Sequence, residues 1–239
     1  MFAGPNGSGK SVLKSYLQAE LLGIYLNPDE IEASIRRDGL LDLRALGVET
    51  TSNEILPFFL NSELLRTHGL TETAAKLCFA DGRLDFCGED VDSYFASVVV
   101  DFLRAKLLDL GKTFTFETVM SHAGKVALLD EAQKRGYRTY LYYIATDDPV
   151  INVSRVGNRV VLGGHPVPED KIVSRYYRSL ALLMTAIRHT NRAYIFDNST
   201  DNADHKLAWV AEVTDGRILE LKPDRIPSWF KRAVLDKIQ

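Results

Sequence analysis

The apolar positions of the chain follow two different spacings. Runs of strand length, rich in aromatic and β-branched residues, occupy 24–27, 113–118, 137–145 and 193–196. Between them the spacing turns helical. Leu13, Tyr16, Leu17 and Leu21 recur three and four apart, and Gly23 follows as a stop signal. Asn27-Pro28-Asp29-Glu30 offers an N-cap, a proline at the first helical position and a glutamate at the third. Further helices are expected over about 94–110, ending at Gly111, and over 125–135, ending at Gly136. Others open at Asp148-Pro149, running to about 156, and at Glu169-Asp170, running to about 189. Strand alternating with helix in this way predicts an α/β fold with a parallel sheet flanked by helices. Residues 207–221 read as a β-hairpin about Asp215-Gly216, followed by a terminal helix near 228–238. Residues 38 to about 92 are mainly helical and irregular, without β-alternation, and are too long for a simple connection. They read as a helical insertion in a single domain spanning 1–239.

Composition narrows the function classes. The 239 residues carry 29 Lys+Arg against 32 Asp+Glu, a net charge of −3, which leaves no sequence-wide electrostatic footprint for nucleic acid. No apolar run approaches the roughly 18–20 residues needed to span a bilayer, and the first residues form no secretory signal. The 2 cysteines, Cys78 and Cys87, make no CxxC pair, so a cytoplasmic protein without a disulfide scaffold or structural zinc is expected.

The clearest chemistry lies at the start. Gly4-Pro5-Asn6-Gly7-Ser8-Gly9-Lys10-Ser11 satisfies G-x-x-x-x-G-K-[ST], the P-loop or Walker A pattern. Its glycines allow a tight loop whose backbone N–H groups cradle phosphate oxygens. Lys10 is expected to reach the β- and γ-phosphates of ATP, and the Ser11 hydroxyl to coordinate Mg²⁺. The helix that follows brings its N-terminus to the same anion. Met1, Phe2 and Ala3 alone precede the loop, so either the feeding strand is short or the chain begins downstream of its natural start.

Ligands of open parallel sheets bind beyond the carboxyl ends of the strands. Asp29, Glu117 and Asp197 all fall at such positions. Asp29 is the candidate base for an attacking hydroxyl, although capping alone also favours an acid in a first helical turn. Glu117 closes an apolar strand, where a carboxylate needs either a task or a partner. Arg155 and Arg159, four apart, share a face of any continuous helix and can neutralise charge on a transferring phosphate. Arg175 and Arg178 can join them. Gly163-Gly164 supplies a hinge, so 155–175 reads as a lid. His165 either touches substrate or stabilises its loop, and the Asp197-Asn198-Ser199 turn either contacts the nucleotide or forms an Asx-turn.

The set as a whole resembles a known family. Ala3–Ser11, Asn27-Pro28-Asp29-Glu30, Phe116-Glu117-Thr118, Arg155-Val156-x-x-Arg159-Val160, Gly163-Gly164-His165-x-Val167-Pro168 and Asp197-Asn198-Ser199 are similar to the zeta-toxin P-loop kinases. The resemblance covers most of the chain outside 38–92 and the hairpin end. It implies an ATP-dependent kinase acting on a hydroxyl of a small molecule, UDP-N-acetylglucosamine in well-studied zeta toxins, and held inactive by an antitoxin. It further implies that Gly4–Ser11 and Asn198 bind the nucleotide and that Asp29 is the catalytic base. Glu117 and Thr118 would contact the acceptor, and Arg155 and Arg159 would supply the charge-neutralising arginine. The chain departs from the toxins in carrying His165 where they have a second lid arginine, and in its 38–92 insertion. The residues themselves leave a second class open, a nucleotide-binding switch with 38–92 as its partner surface. Carboxylates converging on an acceptor pocket would favour the kinase.

Overall fold

The computed structural model describes residues 1–89, 91–164, 166–200, 207–222 and 225–238. In chain order β1 (Phe2–Ala3) leads through the P-loop and a 3₁₀ turn (Lys10–Val12) to α1 (Leu13–Tyr16) and α2 (Ala19–Leu22). Next come β2 (Ile24–Leu26), α3 (Pro28–Asp38) and β3 (Leu40–Asp42). Three helices follow, α4 (Ser52–Leu60), α5 (Glu63–Thr67) and α6 (Thr71–Ala75), and then β4 (Cys78–Ala80) and β5 (Arg83–Asp85). The middle of the chain holds α7 (Ser93–Asp109), β6 (Phe114–Thr118), α8 (Ala123–Lys134) and β7 (Tyr140–Ala145). The last part comprises α9 (Pro149–Val161), α10 (Glu169–Arg188), β8 (Arg192–Asp197), β9 (Ala208–Thr214), β10 (Ile218–Leu221) and α11 (Ser228–Ala233).

Contacts divide the chain into two compact units, Met1–Gln18 with Glu117–Gln239, and Ala19–Phe116. In the first unit β1 lies between β7 and the end of β6, parallel to both. Beyond β7, β8 is parallel, and β9 and β10 close that edge as an antiparallel hairpin. This is the mostly parallel α/β sheet expected from the alternation of strands and helices, with the predicted hairpin at its edge. Its strands are apolar because they are covered: Phe2, Leu141, Tyr143, Ile144 and Ile195 are buried. Val126 and Leu129 of α8, Val156 of α9, and Ile172, Tyr176 and Leu183 of α10 are buried as well. Each such side chain contributes about 1.5–3 kcal/mol over an exposed one.

In the second unit β2 runs parallel to Phe114–Phe116 of β6. Asn27 caps α3 through its side chain, which accepts from the Asp29 N–H at 2.9 Å, and Gly39 ends the helix in the left-handed conformation. Two elements differ from expectation. Residues 40–42, 78–80 and 83–85 form a small antiparallel sheet in the order β3-β5-β4, where only helix and irregular chain were expected. Each strand has 3 residues, too few for alternation to register. The helix expected after the P-loop is broken: Leu17 is extended, with φ −114° and ψ 144°. Ser15 Oγ donates to the Val12 carbonyl at 2.7 Å, a local bond that competes with continuation of the helix. The 4-residue α1 is too short to present a helix-terminus anion site.

Candidate functional site

The P-loop of the first unit is set by three glycines in backbone conformations that side chains resist. Gly4, Gly7 and Gly9 have φ of 148°, 73° and 97°. Space forbids a side chain too. A Cβ on Gly7 would stand 2.6 Å from the Asn152 carbonyl oxygen, one on Gly4 would strike the Ile144 carbonyl, and one on Gly9 the Asn198 amide. No described residue accepts a hydrogen bond from the N–H of Asn6, Gly7 or Gly9. Ser8 is buried with no partner for its hydroxyl among the described residues. Donors held without acceptors in a loop of this shape are what an anionic ligand requires.

Lys10 keeps its ammonium at the loop by donating to the Gly4 carbonyl at 2.8 Å and the Pro5 carbonyl at 3.0 Å. Ser11 is exposed, so its hydroxyl is open to a ligand. These groups suit the polyphosphate of a nucleotide with its divalent cation: N–H donors and a lysine for phosphate, a hydroxyl oxygen for Mg²⁺. Among the described residues no cluster of three or more His, Cys, Asp and Glu side chains has the arrangement to hold a metal by itself.

Arg155 and Arg159 do lie on one continuous helix. Asp148 caps α9 by accepting from the Val150 N–H at 2.8 Å, Pro149 takes the first position, and the helix runs to Val161, beyond the expected end near 156. The two arginines differ in setting. Arg155 is half-buried and donates to the Asn198 carbonyl at 2.8 Å; Arg159 is exposed. Asn198 in turn donates from Nδ2 to the Ser8 carbonyl at 2.8 Å, so its amide holds the loop. Asp197 accepts from Ser199 Oγ at 2.6 Å and from Trp229 Nε1 at 2.7 Å. Its carboxylate therefore anchors the strand end to the buried Trp229.

Glu117 and Thr118 end β6 beside β1, in register with Phe2 and Ala3, and both are half-buried. The Thr118 carbonyl accepts from the Gly4 N–H at 3.3 Å and its hydroxyl from the Met120 N–H at 3.0 Å. The first unit thus brings Gly4–Ser11, Glu117, Thr118, Arg155 and Asn198 into one connected structure. Asp29 belongs to the second unit, exposed in the first turn of α3. Arg175 is half-buried and Arg178 exposed on α10. His165 lies outside the described residues. Sequence reasoning missed Asn152 and Thr146, both fully buried under the loop. The available signal was a polar residue on the apolar stripe of α9, four positions before the buried Val156.

No family model and no curated protein matches the chain. Among solved structures it is similar to the AvrRxo1-ORF1:AvrRxo1-ORF2 complex with sulphate ions, at 14% identity and a TM-score of 0.50. That match covers 92% of this chain and 60% of the other, so this chain spans three fifths of the length of its counterpart. The same pair with ATP matches at 14% identity and a TM-score of 0.47, over 92% and 60%. A structure of the PezAT chromosomal toxin–antitoxin system of Streptococcus pneumoniae matches at 17% identity and a TM-score of 0.45, over 98% and 81%. Identities this low speak to fold alone. What the likeness shows is the fold: a mostly parallel α/β sheet flanked by helices, as the alternation of strands and helices led us to expect.

Proposed function

We propose that the chain is an ATP-dependent phosphotransferase that moves the γ-phosphate of ATP to a hydroxyl of a small molecule. The observation that carries this reading is the P-loop. Three glycines leave no room for a Cβ, the N–H groups of Asn6, Gly7 and Gly9 meet no acceptor among the described residues, and Lys10 is held over the loop carbonyls. The bound nucleotide and Mg²⁺ would supply the phosphoryl group and neutralise its charge. Gly4–Ser11 would hold the phosphates, with Ser11 as the protein's ligand to the cation. Arg155 and Arg159 would balance charge that grows on the transferring group. Asp29 is assigned as the base by its motif: it takes the hydroxyl proton as the new O–P bond forms and the bond to the leaving diphosphate breaks. Glu117 and Thr118 are assigned to the acceptor on the same ground, and His165 is proposed as a further acceptor contact where the toxins carry their second lid arginine.

UDP-N-acetylglucosamine is the acceptor that the motif resemblance puts first, and a UDP-sugar or another hydroxyl-bearing metabolite is the proposed substrate class. An antitoxin-like protein is the proposed partner. No helix among the described residues is long and apolar enough to cross a membrane, and a cytoplasmic site of action fits the use of ATP. The test is transfer of label from γ-labelled ATP to a metabolite library that includes UDP-N-acetylglucosamine. A labelled small-molecule product supports the kinase. ATP binding without any labelled product would move the reading to a nucleotide-dependent switch.

A further inference from the structure

Resting on the nucleotide reading above, we infer that two side-chain amides, Asn152 and Asn198, are positioning residues that hold the P-loop in its phosphate-accepting shape. They take alternate carbonyls of the loop. Asn152 Nδ2 donates to the Asn6 carbonyl at 2.6 Å, and Asn198 Nδ2 donates to the Ser8 carbonyl at 2.8 Å. Each held carbonyl shares a peptide plane with the N–H of the next residue, Gly7 or Gly9, and neither N–H has an acceptor among the described residues. Tying down these two carbonyls restricts rotation of the peptide groups that carry them, so the Gly7 and Gly9 donors keep one direction before any ligand arrives. Preorganised donors avoid the ordering cost of binding.

The amide of Asn152 is itself oriented from behind. Thr146 Oγ1 donates to Asn152 Oδ1, which leaves Nδ2 as the end that faces the loop. Tyr176 of α10 donates to the Thr146 carbonyl at 2.6 Å. Asn152 and Thr146 are 0% exposed and Tyr176 1%, so water cannot substitute for any member of this chain of bonds. Asn198 is fixed by its own backbone. Its N–H donates to the Ala145 carbonyl at 2.9 Å, and its carbonyl accepts from Arg155. The same helix, α9, therefore reaches the loop twice, directly through Asn152 and through Arg155 by way of Asn198.

The charge-free donor is what each site needs, so Asn→Asp is the informative change: it keeps size and acceptor capacity and removes the donor. The experiment measures ATP binding by calorimetry for the full chain, Lys10→Ala, Asn152→Asp and Asn198→Asp. It adds the melting midpoint of each protein with and without ATP, and KM and kcat for ATP turnover. The expected result is a loss of ATP affinity of tenfold or more in both Asp variants. The ATP-induced rise in midpoint should shrink in step, and KM for ATP should rise by a larger factor than kcat falls. A residue that only stabilised the fold would lower the midpoint without ATP and leave KM of the folded fraction unchanged, and that result overturns the proposal. Should Asn152→Asp fail to fold, Asn198→Asp decides, because Asn198 is only half-buried. Tight ATP binding by the parent chain and by Lys10→Ala alike would instead overturn the P-loop reading on which the inference rests. Loss in Lys10→Ala with twofold or smaller change in the folded Asp variants overturns the positioning role alone.

Discussion

Arg155 Nη1 donates to the carbonyl oxygen of Asn198 at 2.8 Å, so the first arginine of the Arg-x-x-x-Arg pair is tied to the residue that also holds Ser8. Arg159, one turn further and exposed, is the more open of the two to a ligand. The part of the lid expected over 155–175 that responds to ATP should therefore lie beyond Arg155, toward the Gly163-Gly164 hinge. Hydrogen exchange with and without a non-hydrolysable ATP analogue should leave 149–156 equally protected and slow exchange over 158–164. Uniform change across both stretches would contradict an anchored Arg155.

The same asymmetry separates the two arginines in kinetics. Arg159→Ala should lower kcat with a small change in ATP affinity, since its role is charge on the transferring phosphate. Arg155→Ala should weaken ATP binding as well, because it also releases Asn198. Lysine should restore either only in part, as an ammonium cannot bridge two phosphate oxygens the way a planar guanidinium does. Steady-state kinetics on the four variants checks this, and identical effects of the two alanine changes would count against it.

Gly7→Ala should be worse than its single methyl implies. The position needs a φ of 73°, and the new Cβ would meet the backbone of Asn152, which cannot swing aside as a side-chain tip could. Strain of this kind costs of order 1–3 kcal/mol. A lowered melting midpoint together with loss of ATP binding is the expected result. A variant with parental midpoint and affinity would show that the loop has room the structure does not give it.

These cases also mark how far the sequence could be read. The P-loop was legible because its constraints are local: glycines where φ is positive, and a lysine and serine in fixed order. The start of α3 was legible for the same reason, with Asn27 capping the Asp29 N–H as expected. The small β3-β5-β4 sheet was not, because strands of 3 residues carry no periodic signal. The break at Leu17 was missed because Leu13, Tyr16, Leu17 and Leu21 keep helical spacing whether or not the backbone follows it. Asn152 and Thr146 escaped notice because their roles depend on partners 146 and 6 residues away in sequence. The bond from the Asn198 amide to the Ser8 carbonyl was not legible for a similar reason: a contact across 190 residues has no local signature.

Asp29 separates chemistry from capping. Its N–H is capped by Asn27 and its carboxylate is exposed, so the charge contributes to the fold through the helix dipole, about 0.3–1 kcal/mol. Asp29→Asn should keep the melting midpoint and ATP affinity close to parental values and lower phosphoryl transfer by about 10²–10⁴-fold. A variant that lost stability yet kept its rate per folded molecule would reduce Asp29 to a helix-start residue.

Acid sensitivity of the second unit should depend on Glu54. Hydrogen bonds from Lys106, then from Thr50 and the Thr51 N–H, hold its carboxyl down to about 2 from an ordinary 4.5. A depressed carboxylate stabilises the fold above its unfolded pKa, and the contribution is lost as pH falls toward the folded value. The midpoint of Glu54→Gln should therefore lie below that of the parent at neutral pH, with the gap narrowing from about pH 5 downward. A gap that stayed constant to about pH 3 would mean that Glu54 is not held by these partners.

Binding of ATP by Gly4–Ser11 for phosphoryl transfer, as proposed, is open to a direct test at Lys10. Lys10 is half-buried on the loop surface, and its ammonium donates to the Gly4 carbonyl at 2.8 Å and the Pro5 carbonyl at 3.0 Å. Removing it should leave the fold in place. Turnover of γ-labelled ATP by parent and Lys10→Ala proteins, with near-ultraviolet circular dichroism to show that both are folded, is the measurement. The account predicts loss of turnover in a folded Lys10→Ala protein. Full turnover in that folded variant would contradict it.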